Sequence, residues 1–530
     1  MSGARPVRRL SRSVIALGVV LFAAACARHS IPAATATSTG APPAPAELRR
    51  DLEVFSADSF RGRRTGTDDA RRAAAFLASR LAELGVEPAG DSGYFQHVPL
   101  VRQGPGPEAR YEVRGPAGTV RLSPDALLPM PTPLGGELPV ERAEGDIVFV
   151  GYGAPSTDAS KRELDRLDVT GKVAVLVAGP PPGAPPSKRG AMDGVDTGRR
   201  VQALIARRPA AVIVLLGGEG AKSVAQLARQ YARIAEAGDL AAAPSDSMRT
   251  LPMLLLGDLA KAGPLLPDGW PADASPRALE GRRFVGESDM SVAAVNVVAI
   301  VRGRDPALRS TYVAFGAHYD HIGVQPPGGI QGAEAGATPT DSIANGADDD
   351  GTGSVTLLAL ARAFQQAPRP RRSVLFVWHV GEEQGLLGSE YFAAHPTVPI
   401  DSIVAQLNAD MIGRNAPESL YVVGPRAAPK GQSRRLGEIV DSVNATLQPP
   451  FAIDREWDSP THPEQIYYRS DHYSYARRGV PIVFLTTGLH EDYHRVSDEA
   501  SKIDYDKLAR VGRLLLDVGR AVADGAERPK

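Results

Sequence analysis

Residues 311–321 read TYVAFGAHYDH, in which an apolar run ends in a group of polar side chains. An apolar run of this length without regular alternation is typical of a strand that is buried on both faces of a sheet. The run ends at His318, and Asp320 and His321 follow at once. The stretch therefore predicts a central strand whose carboxyl end carries titratable side chains.

Similar strand patterns flank this stretch and alternate with amphipathic helical patterns from Ala293 onward. The apolar runs are AVNVVAIV, SVLFVWHV, IVAQLNAD and VPIVFLTT. A further helix, TDDARRAAAFLASRLAELG, is predicted with Thr67 or Asp68 as its N-cap and with Gly85 as its end. The alternation predicts an α/β fold, with a mixed, mostly parallel sheet that is flanked by helices.

The length of 530 residues predicts more than one domain. Between 120 and 283 the chain carries the apolar runs DIVFV, KVAVLV, AAVIVLL and LPMLLL, with no cluster of His, Asp and Glu. We interpret 120–283 as a β-rich domain inserted into a domain that is formed by 48–119 and 284–530.

The first 26 residues read as an export signal, with four arginines, the apolar run VIALGVVLFAAA and then Cys26. FAAAC resembles a bacterial lipoprotein box, and a plain signal peptide that is cut near the alanines stays open. Residues 27–47 read as a flexible tether. We expect an exported protein, either secreted or a lipoprotein of the bacterial cell envelope that touches the membrane only through its N-terminal lipid.

Composition excludes some classes of function. Cys26 is the only cysteine, which excludes disulfides and thiol catalysis in the mature chain. Lys plus Arg number 60 against 61 Asp plus Glu, a net charge of -1, so no global field attracts nucleic acid.

The polar residues at successive strand ends form an inventory of metal ligands. They are His318, Asp320 and His321, the aspartates Asp348 to Asp350, Glu382 and Glu383, Asp410, and His490 and His494. Imidazoles and carboxylates without thiolates suit zinc or another borderline divalent ion. Two zinc ions that share a bridging carboxylate need five ligand residues, which leaves one glutamate of the pair as a general base.

Six motifs, in order, resemble those of the co-catalytic zinc aminopeptidases, metallopeptidase family twenty-eight of peptidase clan MH. They are GAHYDHIG, NGADDDGTGS, EEQGLLGSEYF, NADMIG, SDHYSYARRGVP and DYHRVSDE, and the segment GRRTGTDDA also fits. The insertion is similar to a protease-associated domain. The resemblance implies a zinc exopeptidase fold and two Zn²⁺ per chain. It assigns the ligands His318 and Asp410 to one zinc, Glu383 and His494 to the other, and Asp349 to both.

The resemblance also implies roles around the ligands. Glu382 would be the catalytic base, Asp320 would orient His318, and Tyr467 or Tyr493 would donate to the oxyanion. A cis peptide would join Asp349 to Asp350, and Asp348 would be a solvated neighbour. Six other histidines default to structural or surface roles, namely His321, His379, His395, His462, His472 and His490. HRVSDE departs from the usual sequence after the histidine ligand.

We therefore expect a secreted di-zinc aminopeptidase that acts on peptide substrates. A carboxypeptidase or a glutaminyl cyclase on the same fold stays open, as does a non-catalytic, receptor-like binding protein.

Overall fold

The computed structural model describes residues 40–102, 109–123, 125–130, 140–152, 167–179, 193–237, 240–243, 251–288, 290–326, 335–428 and 432–529. Its helices are α1 (Pro45–Phe55), α2 (Asp68–Glu83), α3 (Asp193–Ile205), α4 (Glu219–Ala237), α5 (Gly353–Gln366), α6 (Leu387–Ala394), α7 (Arg434–Asn444), α8 (His472–Ala476) and α9 (Tyr505–Asp524). The predicted export signal and Cys26 lie outside the described residues.

The strands of the first half are β1 (Glu87–Pro88), β2 (Phe95–Arg102), β3 (Arg110–Gly115), β4 (Gly118–Arg121), β5 (Leu127–Pro129), β6 (Arg142–Phe149), β7 (Val173–Val177), β8 (Ala211–Leu216), β9 (Leu240–Ala242) and β10 (Met253–Asp258). Those of the second half are β11 (Arg277–Glu287), β12 (Ser291–Val301), β13 (Tyr312–His318), β14 (Gly323–Val324), β15 (Ile343–Ala344), β16 (Ser373–His379), β17 (Ile403–Ala409), β18 (Ser419–Val423), β19 (Ala452–Asp454) and β20 (Ile482–Thr486).

The larger sheet has ten strands in the order β19-β18-β20-β17-β13-β16-β12-β2-β9, with β1 paired to β12. Its centre is parallel, because β16, β13, β17 and β20 run in one direction. Antiparallel pairs flank this centre, between β12 and β16 on one side and between β18 and β20 on the other. The predicted α/β fold with a mixed sheet is confirmed.

Helices cover both faces of the larger sheet, which explains why its strands read as continuous apolar runs. Successive residues of a strand point to opposite faces. Phe315 accordingly joins the core formed with α1, α2, α5 and α9. Its neighbour Ala314 joins the core on the other face, with Phe392 of α6 and Tyr475 of α8.

The predicted helix after the GRRTGT segment is also confirmed. It is α2, and Oγ1 of its N-cap Thr67 accepts a hydrogen bond from the Ala70 N–H at 3.4 Å. Gly85, which comes after the helix, has a φ of 66°. Such positive φ values favour glycine and commonly end helices. The helix α1 begins at Pro45, inside the stretch 27–47 that the sequence indicates as a tether.

A second sheet has eight strands in the order β4-β3-β11-β6-β7-β8-β10-β5. Four of them, β6, β7, β8 and β10, are parallel, and a separate core that contains Phe149 and Phe284 packs on this sheet. The chain enters it after β2 and leaves it through β11 into β12. The strand β9, which lies between β8 and β10 in sequence, instead pairs with β2 in the larger sheet. The predicted domain boundaries stay a prediction.

Among the described residues, no helix has both the length and the apolar character needed to cross a membrane.

Candidate metal centre

The predicted ligands gather at one edge of the larger sheet. The four central strands are parallel, so their carboxyl ends meet on the same side, where ligands of α/β sheets commonly bind. His318 ends β13, Glu382 and Glu383 come after β16, and Asp410 comes after β17. The loop after β20 carries His494. Strand order alone therefore brings together residues that are far apart in sequence.

The first group is formed around the Nε2 atom of His318. This nitrogen lies 3.1 Å from Asp349 Oδ1 and 3.6 Å from Asp410 Oδ1. Glu382 Oε2 lies 4.0 Å away. His318 is buried, and so are the two aspartates. One nitrogen and two carboxylate oxygens thus face a common space.

The second group uses the other oxygen of the same aspartate. His494 Nε2 lies 3.2 Å from Asp349 Oδ2 and 3.0 Å from Glu383 Oε2. Asp349 therefore stands between two histidines, with one oxygen toward each. The structure brings together all five predicted ligands, and their arrangement fits two cations that share Asp349.

The buried carboxylates of the site need positive charge nearby to be stable as anions. Burial raises the pKa of Glu382 well above its usual value, and the nearby acids Glu383 and Asp410 add to this effect against His318. Burial opposes protonation of His494, but Glu383 and Asp349 outweigh it and raise the pKa of this imidazole. So many buried carboxylates are stable as anions only beside cations, and a pair of divalent ions would supply that charge.

The turn of three aspartates is fixed by hydrogen bonds from the backbone. Asp350 accepts from the backbone N–H of His318 at 3.1 Å and from that of Gly353 at 2.9 Å. The peptide between Asp349 and Asp350 is cis, as predicted. Asp348 is not a solvated neighbour, because it is fully buried. Its Oδ1 accepts from the backbone N–H of Gly413 at 2.8 Å, so the prediction of solvent exposure was wrong.

Asp498 holds this turn from the far loop, and sequence reasoning missed it. Its carboxylate accepts the backbone N–H groups of Asp348, at 3.0 and 3.1 Å, and of Asp349, at 3.1 Å. It belongs to the HRVSDE loop, four residues after His494. The loop that carries one histidine of the site thus also positions the aspartate beside it.

Asp320 contacts His318 in a different way from that predicted. The ring Nδ1 lies 3.1 Å from the main-chain oxygen of Asp320 and 3.8 Å from its carboxylate. The carboxylate instead accepts from Thr65 Oγ1 at 2.8 Å and from the backbone N–H of Glu382 at 3.3 Å. Asp320 therefore joins the first strand end to the glutamate pair.

Arg63 is a second residue that sequence reasoning left without a role. It is fully buried, and its guanidinium donates to the main-chain oxygens of Tyr319 at 2.8 Å, Asn345 at 2.7 Å and Gly346 at 2.8 Å. These carbonyls flank the two loops that carry His318 and Asp349. Burial lowers the pKa of Arg63 to about 10, while Asp498 and Asp320 oppose this effect. The only sequence signal was that GRRTGTDDA fitted the same family.

A pocket opens over the acids of the site. Its wall is formed by Met411, Trp457, Ile466, Arg469, Phe484, Thr486, Leu489 and Tyr493, and its acids are Asp349, Glu382 and Asp410. The hydroxyl of Tyr493 accepts a hydrogen bond from Arg469 Nη2 at 3.2 Å. Tyr467, the other predicted tyrosine, does not join the described residues that line this pocket. It packs against Tyr468 and Tyr473.

Two of the histidines expected to be structural or surface residues contact the site. His490 Nε2 lies 3.2 Å from Asp348 Oδ2, and His321 Nδ1 lies 2.7 Å from Glu383 Oε1. His321 therefore touches a predicted metal ligand, and the expectation of a structural or surface role stays a prediction.

Part of the chain is similar in sequence to known proteins. Residues 296–519 match the model of Peptidase family M28. Leucine aminopeptidase 1 of Trichophyton rubrum is 30% identical over 233 residues, which are 42% of this chain and 56% of that protein. Leucine aminopeptidase 1 of Penicillium rubens is 28% identical over 225 residues, 40% of this chain and 53% of that protein. A solved zinc aminopeptidase from Bacillus subtilis has 15% identity and a TM-score of 0.43, with 92% of this chain and 96% of that chain covered.

The chain is similar to Peptidase family M28 over residues 296–519. It spans about half the length of the curated relatives that it matches.

Proposed function

We propose that this protein is a di-zinc aminopeptidase, which removes the N-terminal residue of peptides. The observation that carries the proposal is the position of Asp349, whose two oxygens lie 3.1 Å from His318 Nε2 and 3.2 Å from His494 Nε2. A carboxylate between two such groups is the arrangement that two co-catalytic metal ions need. The similarity of residues 296–519 to Peptidase family M28 supports the same proposal.

The residues that would hold the two ions are His318, Asp410, Asp349, Glu383 and His494. Zinc binds imidazole nitrogen and carboxylate oxygen, and each ion would be held by three of these residues. When bound, the two zinc ions polarise the scissile carbonyl and lower the pKa of a water molecule. They would also neutralise the buried acids.

Glu382 is the base in this proposal. It lines the pocket, and its Oε2 lies 4.0 Å from His318 Nε2, so it stands beside the proposed ions and close to the reacting bond. Its carboxylate takes a proton from the attacking water and passes the proton to the amine that leaves. Burial raises the pKa of this group, which favours its taking the proton.

The pocket suggests which end of a peptide is recognised. Its acids would attract the ammonium of a free N-terminus, and the apolar wall of Met411, Phe484 and Leu489 would receive an apolar side chain. The relatives of this chain are named leucine aminopeptidases, which fits the same kind of residue. We therefore expect peptides that begin with leucine or a similar residue as substrates.

Tyr493 would stabilise the oxyanion. Arg469 donates to its hydroxyl oxygen, which leaves the hydroxyl proton free to donate to the substrate. Tyr467 is the alternative donor. Its hydroxyl has no hydrogen-bond partner among the described residues.

Arg469 also favours a second candidate function, that of a carboxypeptidase. It is the only cationic side chain among the described residues that line the pocket, and a guanidinium is a suitable partner for a terminal carboxylate. A glutaminyl cyclase, which would use one zinc and fewer ligands, and a receptor-like protein, which would have lost ligands, are disfavoured because all five ligands are present.

One assay with matched peptides tests this proposal. Zinc-loaded protein is given a leucine-initiated peptide with a free amine, its N-acetylated form and its C-amidated form, and the metal content is measured in parallel. An aminopeptidase cleaves the first and third peptides and spares the second. Cleavage of the acetylated peptide with loss of activity on the amide would establish the carboxypeptidase. Failure to cleave any of them with two metals bound would leave a binding protein.

We further propose that the protein is exported and anchored through lipid on Cys26, and that 120–283 is a protease-associated domain. Several acyl chains are needed for stable anchoring, since one chain binds a membrane only marginally. The full-length protein should sediment with membranes, and the Cys26→Ser protein should not. A soluble wild-type protein outside the cytoplasm would instead support the plain signal peptide.

A further inference from the structure

His321 lies in the second half of the proposed metal centre, where no role has been assigned to it. It lies just beyond the carboxyl end of β13, and its ring is fully buried. Its Nδ1 lies 2.7 Å from Glu383 Oε1 and 3.8 Å from Asp349 Oδ2. His494 approaches the other oxygen of the same glutamate, at 3.0 Å. Two imidazoles and two carboxylates therefore enclose one small space.

The contact between His321 and Glu383 lacks the geometry of a hydrogen bond. Within the described part of the chain, neither ring nitrogen of His321 has a hydrogen-bond partner, and neither does Glu383 Oε1. A buried polar group without a partner destabilises the fold. A nitrogen and an oxygen that lie close together without sharing a proton can both be satisfied by one cation placed between them.

The backbone around His321 leaves room for the ring. Gly346 has a φ of 56°, and a Cβ on this residue would lie 2.4 Å from His321 Cγ. Any other side chain at Gly346 would displace the imidazole. The turn that leads into the aspartates is therefore shaped around this ring as well as around Asp349.

We propose that His321 is a ligand of the metal ion that Asp349, Glu383 and His494 also hold. This inference rests on the proposed di-zinc centre and makes its two halves unequal. One ion would have three protein ligands, His318, Asp349 and Asp410, which is typical of a catalytic zinc with an open position. The other would have four, which is typical of a closed and more tightly held zinc. The second site should therefore fill first as metal is added.

The alternative is that His321 only orients Glu383 by hydrogen bonding. Residues that orient ligands typically contribute about 10 to 100-fold to metal affinity. Their removal leaves the number of ligand atoms unchanged. A lost ligand lowers the affinity further and changes the coordination geometry. The two roles therefore differ in affinity and in the visible absorption spectrum of the Co²⁺-substituted protein.

The test uses the full chain with His321→Ala and His321→Gln, and His490→Ala serves as the control. His490 is also almost fully buried beside an aspartate, but it faces Asp348 and not the second group. Affinities for both ions are measured by competition with a chelator, and Co²⁺ spectra are recorded. Unfolding in the presence of chelator shows whether each variant folds.

We expect wild-type protein to bind two ions with unequal affinity. Both His321 variants should lose the tighter ion by more than 100-fold and change the Co²⁺ spectrum, with the weaker ion bound as before. His490→Ala should keep both ions within about tenfold. Unchanged Co²⁺ spectra in the His321 variants, or an equal loss in His490→Ala, would overturn the assignment of His321 alone. A wild-type protein that binds fewer than two ions would overturn the di-zinc centre as well.

Discussion

The two large sheets of this protein contain similar strands and differ in the residues at the carboxyl ends of those strands. Both have four adjacent parallel strands with buried apolar residues. In the smaller sheet, β7 is followed by Ala178 and Gly179, and β8 is followed by Gly217 and Gly218. In the larger sheet the corresponding ends carry histidines, aspartates and glutamates. Among the described residues, both groups suited to a metal ion lie at the larger sheet. A parallel sheet thus brings the loops after its strands to the same side. The residues in those loops decide whether they can form a metal site.

The largest effect should come from removing the residue shared by both halves of the centre. Asp349→Ala deletes the one carboxylate that faces both His318 and His494. We expect loss of both metal ions and of all measurable peptide cleavage, because each ion loses a ligand and the two histidines face one another without a bridge. Elemental analysis and a leucine-peptide assay measure the two quantities. Retention of two ions in this variant would contradict the bridging role.

The next effect separates two adjacent glutamates at the end of β16. Glu382→Gln removes the base and keeps the size of the side chain, so metal content should stay near two while kcat falls by about 10²- to 10⁴-fold. Glu383→Ala removes a ligand, so metal content and activity should fall together. The comparison is made on the same preparations by elemental analysis and steady-state kinetics. If Glu382→Gln loses metal and Glu383→Ala keeps it, the two roles are reversed.

These residues could be predicted because each stands next to a strong local pattern. His318, Glu383 and Asp410 come at the ends of apolar strands, and the three aspartates lie between glycines. The sheet order then brings the strand ends together without any further information. The α/β class and the helix α2 were predicted from the same kind of pattern and are confirmed.

The residues that sequence reasoning missed act through contacts that no local pattern encodes. Arg63 donates to a carbonyl 283 positions away, and Asp498 accepts from backbone groups 149 and 150 positions away. In both cases the partner is a main-chain group, so the identity of the partner residue gives no indication of the contact. The contact of His321 with Glu383 could not be predicted for another reason, because a histidine after a strand is more often structural than a ligand. Only the distance of 2.7 Å between its Nδ1 and Glu383 Oε1 places it at the site.

A smaller effect is expected from substitution of Arg63, which tests whether the loops that carry the metal ligands of the larger sheet need this side chain to hold them in place. Arg63→Lys keeps the charge but loses the planar guanidinium that reaches four carbonyls at once. We expect metal affinity to fall by about 10 to 100-fold, as for other residues that position ligands. Competition with a chelator measures the change.

The control for this variant is Arg61→Lys. Arg61 lies two residues earlier, and its side chain is 54% exposed beside Asp69. This change should leave the metal affinity unaltered. Wild-type affinity in Arg63→Lys would show that the other hydrogen bonds of the two loops hold the ligands by themselves.

The smallest effect on catalysis is expected from the core of the smaller sheet, and it sharpens the comparison between the two regions. Phe284 is fully buried in that core and stacks on Tyr111 with a ring distance of 6.2 Å. Phe284→Ala should lower the free energy of unfolding by about 3–5 kcal/mol, the usual cost of truncating a core phenylalanine. Metal content and kcat/KM on a short peptide should stay within about twofold, because this sheet contributes no residue to the proposed centre.

The matched change is Phe315→Ala in the larger sheet, where Phe315 is equally buried and stacks on Phe376 at 5.5 Å. It should cost a similar amount of stability, but it lies three residues before His318 in the same strand and should also weaken metal binding. Chemical unfolding, elemental analysis and kinetics on the two variants provide the comparison. If Phe284→Ala weakens metal binding as much as Phe315→Ala does, the smaller sheet helps to shape the metal centre, and the contact of β9 with β2 is the place to look for that influence.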